Sequence, residues 1–208
     1  MTTSLLDRVP VVPVVVVEDL AHAVPLARAL ARGGLPVVEL TLRTPVALDA
    51  IRAIAEEVPE VLIGAGTIVE PKQAALAVEA GAGFLVSPGC TPSILDAMTE
   101  TGVPFLPGVA TVSEVLAAYE RGLTELKFFP AEAAGGRAYL KSIGGPLPQV
   151  RFCPTGGITP ASAPDYLALP NVGCVGGSWL TPAAALAAGD WDAIEALARA
   201  ASLLGGQK

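Results

Sequence analysis

Short apolar, β-branched runs alternate with longer alanine-rich stretches along the whole chain. The runs cover residues 11–17, 37–42, 61–66, 84–87, 105–108, 125–129, 151–155 and 172–175, and their length and residue types predict buried strands. Between them, apolar residues return at helical spacing, as in Leu20, Val24, Ala27, Leu30 and Ala31, and again in Leu48, Ile51, Ile54, Ala55 and Val58. Thr44-Pro45, Thr91-Pro92, Thr159-Pro160 and Thr181-Pro182 each predict a helix start, with a capping hydroxyl before a proline suited to the first turn. Thr111-Val112-Ser113-Glu114 reads as a capping box. Gly33-Gly34, Gly81 and Gly102 fit left-handed helix ends. Eight strand-helix units without a long linker predict a (β/α)8 TIM barrel as a single domain over residues 1–208. The other candidate, an open doubly wound sheet, would want a glycine-rich dinucleotide fingerprint after the first strand, and none is there.

This architecture makes a geometric claim, because barrel active sites gather where strands end and the following loops begin. Strand two carries Glu39, Thr41 and Arg43 on one face and Val38, Leu40 and Leu42 on the other. The outer face packs on helices, so the polar set is expected inside. An internal Glu39–Arg43 ion pair is one reading and an acid/base carboxylate the other. Strand six carries Lys127 and Phe129 on a common face. Strands two and six are both even, so their inward residues can share a layer and Lys127 can face Glu39. Burial disfavours the charged form of an amine, and a neutral amine in a dry pocket suits imine formation with a carbonyl. Alternatively, a lysine near a strand end snorkels to water.

Thr67 follows Gly64-Ala65-Gly66 at the rim, as a turn residue or a ligand contact. Pro88, Phe129 and Thr155 end strands four, six and seven, and are candidates to line a substrate. Thr155-Gly156-Gly157 and Gly176-Gly177-Ser178 close the seventh and eighth strands. Those two loops often cradle phosphate through backbone N–H groups in barrels.

Composition narrows the field. With 52% hydrophobic and 16% charged residues, the chain can fill a large core and is not disordered. A net charge of −7 argues against nucleic acid or an anionic membrane as partner, but not against a small anion met by local groups. Residues 11–17 are too short to cross a bilayer, and the start of the chain has no secretory pattern. Cys90, Cys153 and Cys174 match no zinc spacing and are expected as reduced fillers in a cytoplasmic protein. His22, the only histidine, lacks companion nitrogen ligands, so a metal site is not expected.

Five segments taken together resemble the 2-keto-3-deoxy-6-phosphogluconate aldolase family, which often also cleaves 4-hydroxy-2-oxoglutarate. They are Glu39-Leu40-Thr41-Leu42-Arg43-Thr44, Gly64-Ala65-Gly66-Thr67, Lys127-Phe128-Phe129-Pro130-Ala131-Glu132, Phe152-Cys153-Pro154-Thr155-Gly156-Gly157-Ile158 and Gly176-Gly177-Ser178-Trp179-Leu180. They occur in order over nearly the whole chain. The resemblance implies a class I aldolase of the Entner-Doudoroff pathway on a (β/α)8 barrel, commonly a homotrimer, using no metal and no cofactor. It implies Lys127 as the Schiff-base nucleophile, Glu39 as general acid/base, and Arg43 and Thr67 as substrate contacts, with Arg43 orienting Glu39 or a substrate carboxylate. It implies a phosphate site at Gly156, Gly157, Gly177 and Ser178. Its partners would be a 2-keto acid, pyruvate and a phosphorylated aldehyde. Some relatives carry a basic residue at the end of strand one, where this chain has Val15-Val16-Val17. A phosphosugar isomerase or epimerase, and a silent metabolite-binding barrel, are the other function classes these residues allow.

Overall fold

Parallel pairing organises residues 4–205, which a computed structural model describes. In chain order the elements are β1 (Val11–Val15), α1 (Ala23–Arg32), β2 (Val37–Thr41), α2 (Ala47–Glu57), β3 (Leu62–Gly66), α3 (Pro71–Glu79), β4 (Leu85–Val86) and α4 (Pro92–Glu100). There follow β5 (Phe105–Leu106), β6 (Gly108–Val109), α5 (Val112–Glu120), β7 (Glu125–Phe128), α6 (Gly136–Ile143), β8 (Arg151–Pro154), α7 (Ala163–Leu167), β9 (Val175–Gly177), α8 (Ala183–Ala188) and α9 (Trp191–Ser202). Six strands pair in the order β5-β4-β3-β2-β1-β9 and three in the order β6-β7-β8. The result is a TIM-like α/β fold around a curled parallel sheet.

The expected fifth strand is two strands, because Pro107 sits inside it. Proline has no N–H to give to a ladder, which excludes it from strand interiors. The chain before it pairs with β4 and the chain after it with β7, so residues 105–109 carry one edge of each sheet. At the other margin, single parallel bridges join Phe152 to Val172 and Thr155 to Gly176. The offset between those two bridges differs by one residue. An extra residue is therefore accommodated around Gly173-Cys174, and regular pairing begins only at Val175, later than the 172–175 run suggests.

Helix starts divide into two groups. Thr91 accepts from the Ile94 N–H at 3.4 Å. Thr111 and Glu114 form the reciprocal box, with Glu114 Oε2 accepting from the Thr111 N–H at 2.8 Å. Thr44, Thr159 and Thr181 do not cap. The Thr44 hydroxyl is spent on the Val17 carbonyl at 2.7 Å, tying the loop after β2 to the end of β1, and α2 starts only at Ala47. Thr159 enters a hydroxyl turn with Ser162, whose Oγ accepts from the Thr159 N–H at 3.0 Å, and α7 starts after it. No side chain caps α8 at Pro182. In these three loops the Thr-Pro pair shapes the connection and the helix follows.

Phe84, Phe128, Phe152 and Tyr166 are the largest fully buried side chains, each worth ~1.5–3 kcal/mol of burial. A side chain on Gly64 would lie 2.3 Å from the Phe84 ring, so the glycine lets that ring floor the interior of the curled sheet. Lower down, Glu125 and Arg151 are register partners and an ion pair at 3.5 Å. Arg151 also holds Asp7 through both guanidinium nitrogens, which ties the incoming chain to the foot of β7 and β8. The same register puts Lys127 beside Cys153.

Candidate active site

Lys127 and Glu39 meet in the interior. The Lys127 Nζ donates to Glu39 Oε1 at 3.0 Å, and their side chains are 6% and 4% exposed. This excludes the snorkelling alternative. Two ladders set the heights: Glu39 is level with Val14 and Gly64, and Lys127 with Gly108 and Cys153. The carboxylate fits because residue 66 is glycine, since a Cβ there would stand 2.2 Å from Glu39 Oε1. The Phe129 ring lies 5.5 Å from the Lys127 Nζ, within range of a cation–π contact. A buried ion pair is weak evidence of stability, because desolvation offsets most of its attraction. Its presence in a fold that could have packed apolar residues there makes this layer the candidate site.

Arg43 and Thr67 form a second pair at the rim, with Arg43 Nε donating to Thr67 Oγ1 at 3.2 Å. Arg43 does not pair with Glu39, which corrects the internal ion pair read from the sequence and, of the two orienting roles that the resemblance implied, the one toward Glu39. The physical reason is that β2 ends at Thr41 and the Arg43 N–H turns back to the Thr41 carbonyl at 2.8 Å. The guanidinium is therefore carried out of the interior to an exposed position, where it can meet an anion. Thr67 has φ +63°, a left-handed conformation costly for a β-branched residue.

The other expected positions lie around the same mouth. Thr155 is buried, and its hydroxyl fills the space left by Gly176, where a Cβ would come within 2.2 Å of it. The Pro88 backbone packs on Gly108, the register partner of Lys127. Gly156 and Gly157 take φ +103° and +79°. The segment after Lys127 straps this loop down: the Ala131 N–H donates to the Thr155 carbonyl at 2.8 Å and the Glu132 N–H to the Gly156 carbonyl at 3.1 Å. The N–H groups of Gly157 and Ser178 have no acceptor among the described residues, and Ser178 adds an exposed hydroxyl. Gly177 stands against the Trp179 ring, 2.5 Å from where its Cβ would be.

Four contributors escape a reading of the sequence alone. Gly66 makes room for Glu39. Ser87, fully buried, accepts from the Gly108 N–H at 3.3 Å and steadies the chain just past Pro107. Glu132 and Tyr166 bond to one another at 2.7 Å below the glycine loop. For Gly66 a signal exists in its two-residue spacing from Gly64 on the inward face. For the other three nothing local gives them away.

The chemistry of the remaining candidates is quiet. Among the described residues, no group of three or more His, Cys, Asp or Glu is placed to hold a metal ion. The three cysteines are free. A hydrogen bond to Cys153, together with burial, pushes the Cys174 thiol well above its ordinary range, as an inert core thiol requires. His22 packs edge-on to Trp191 at 5.5 Å. No helix is long and apolar enough to cross a membrane among the described residues.

The family model described as KDPG and KHG aldolase matches residues 2–197. The chain belongs to that aldolase family. A KHG/KDPG aldolase of Escherichia coli K12 is 59% identical over 198 residues, covering 95% of this chain and 93% of the relative. The solved KDPG aldolase of Legionella pneumophila, with pyruvate captured as a covalent carbinolamine, superposes with a TM-score of 0.93 at 48% identity, covering 95% of this chain and 96% of the other. The KDPG aldolase of Zymomonas mobilis with 3-phosphoglycerate gives 0.90 at 49% identity, covering 96% and 93%. As a member of the aldolase family the protein is a carbon–carbon lyase, and the family is the one its five motifs resemble.

Proposed function

We propose that this aldolase reversibly cleaves 2-keto-3-deoxy-6-phosphogluconate to pyruvate and glyceraldehyde 3-phosphate through a Schiff base on Lys127. The observation that carries the reading is the buried Lys127–Glu39 contact at 3.0 Å. Lys127 must shed a proton before it can attack, and Glu39 is the acceptor within hydrogen-bond reach. The amine adds to the C2 carbonyl to give a carbinolamine, and Glu39 returns its proton to the carbinolamine hydroxyl, which leaves as water to give an iminium ion. Glu39 then takes the C4 hydroxyl proton, directly or through water, as the C3–C4 bond breaks and its electrons flow into the iminium. The aldehyde leaves, the enamine is protonated at C3, and hydrolysis returns pyruvate and the free lysine. The carbinolamine captured in the Legionella pneumophila enzyme supports this covalent route, and no step calls for a metal or cofactor.

Arg43 and Thr67 receive the substrate carboxylate end, and Pro88, Phe129 and Thr155 line the reacting carbons. Gly156, Gly157, Gly177 and Ser178 hold the distal phosphate, so binding energy remote from the reaction orients it. The two-substrate name of the Escherichia coli relative supports a second activity on 4-hydroxy-2-oxoglutarate, which has no phosphate. The catalytic unit is one closed (β/α)8 domain over residues 1–208. Closure is supported by the Thr155–Gly176 bridge and by the chain at 105–109 that serves both sheets. It works in the cytoplasm, as a homotrimer like many members of the family.

The two substrates give a direct test of the phosphate loop. Valine at position 156 would have to adopt φ +103°, which L side chains strongly resist. Gly156→Val is expected to raise KM for the phosphorylated substrate by about 10- to 100-fold, the loss of one or two charge-assisted bonds. KM for 4-hydroxy-2-oxoglutarate should hold near the wild-type value. Steady-state pyruvate release on both substrates checks it, and equal losses would mean that the loop only shapes the barrel.

A further inference from the structure

Glu132 is a carboxylate next to a loop that holds an anion. Its backbone N–H is bonded to the Gly156 carbonyl at 3.1 Å, so it cannot drift away. Its stem passes directly under the loop, with Cβ and Cγ each 2.8 Å from where a Gly157 side chain would start. On the other side, a Cβ on Gly136 would sit 3.1 Å from the Tyr166 hydroxyl and 3.5 Å from Glu132 Oε2. Gly136 and Gly157 both have positive φ, +58° and +79°. Two left-handed glycines thus keep a slot open for one bond, from the Tyr166 hydroxyl to Glu132 Oε1 at 2.7 Å.

An ionised carboxylate only accepts hydrogen bonds, and the Gly157 N–H above it is without an acceptor among the described residues. Left to itself, the Glu132 side chain could rotate to that donor and place a negative charge where the substrate phosphate must go. We infer that Tyr166 is a positioning residue for phosphate recognition: its hydroxyl holds the Glu132 carboxylate off the Gly156–Gly157 loop. Tyr166 is fully buried on α7, so its hydroxyl is a fixed donor. Burial, and then the bond to Glu132, push the phenol above its ordinary range, which keeps the proton in place. Arg137 pairs with Asp165, clasping the start of α6 to α7 and keeping the phenol aimed. The inference rests on the phosphate reading of the loop and adds to it a specificity element away from the reacting carbons.

The experiment compares Tyr166→Phe, the double variant Tyr166→Phe/Glu132→Gln and Gly156→Val on the phosphorylated and unphosphorylated substrates. Tyr166→Phe keeps the ring and so the packing. It is expected to raise KM for the phosphorylated substrate about tenfold, the scale of one charged hydrogen bond misdirected, with kcat retained. KM for 4-hydroxy-2-oxoglutarate should not move. Glu132→Gln in the same chain removes the competing charge and should restore most of the lost affinity, a rescue that mere structural support by Tyr166 would not allow. Losses shared by both substrates, an unchanged KM, or no rescue would each overturn the inference. If Gly156→Val separates the substrates while Tyr166→Phe does not, only this inference falls. If Gly156→Val weakens both alike, the phosphate reading falls and takes it along.

Discussion

Pyruvate and borohydride together will inactivate the protein irreversibly and leave one reduced pyruvyl group on the peptide that contains Lys127. The chain has four lysines, Lys72, Lys127, Lys141 and Lys208. Lys72 is exposed and ion-paired with Glu70, and that bond raises its pKa, so it stays an ammonium ion and a poor nucleophile. Lys141 lies on the exposed side of α6. Lys127 alone among the described lysines is buried beside a carboxylate that can take its proton. Hydride reduction of an iminium yields a stable secondary amine, so peptide mass mapping locates the nucleophile. Chelators present during the assay should change nothing. Lys127→Arg retains a cation for Glu39 but cannot form an imine, so trapping and cleavage should disappear together. Retained cleavage in that variant, or label spread over all four lysines, would remove the Schiff-base assignment. Outright deletion of the amine is the poorer control, since orphaning one member of a buried pair costs roughly 3–5 kcal/mol.

Glu39→Gln is expected to lower kcat by roughly 10²- to 10⁴-fold, the usual contribution of one positioned acid/base group. The amide matches the carboxylate in shape, so it still fits the space that Gly66 leaves and still accepts from Lys127. The fold should therefore survive, with a thermal midpoint close to the parent. Pyruvate should still form a trappable adduct, more slowly, because Lys127 loses its proton acceptor. Stopped-assay pyruvate release and borohydride labelling, measured side by side, separate the two roles. Turnover near the wild-type rate would make Glu39 a structural partner of the lysine and no more.

Lys127 and Glu39 were legible in the sequence because both lie inside regular strands, where a two-residue period assigns faces without further information. Arg43 shows where that rule stops. It continues the alternation on paper, but β2 ends two residues earlier, and beyond a strand's end parity no longer sets direction. Three of the four Thr-Pro pairs failed as caps, Thr44 for a related reason: it had a better acceptor in Val17, just past a strand far back in the chain. Pro107 was visible as a letter, yet its consequence depended on which neighbour each flank would pair with. The Tyr166–Glu132 bond joins positions 34 apart, and no local pattern encodes such a meeting.

Thr67 carries a consequence for attempts to harden this enzyme. Holding a β-branched residue at φ +63° stores about 1–3 kcal/mol of backbone strain. Glycine would release that strain and lose some of the gain to its own freedom in the unfolded chain. Thr67→Gly should therefore stabilise by about 1 kcal/mol, or about 2–4 °C for a chain of this length, while Arg43 loses its hydroxyl partner and turnover falls. Calorimetry and a rate assay on the purified variant would check both halves, and a lower melting point would show the threonine to be at ease. A selection that rewards heat resistance alone would thus drift toward glycine at this position and dismantle the rim unnoticed, so any directed evolution of this enzyme has to screen for turnover in the same round.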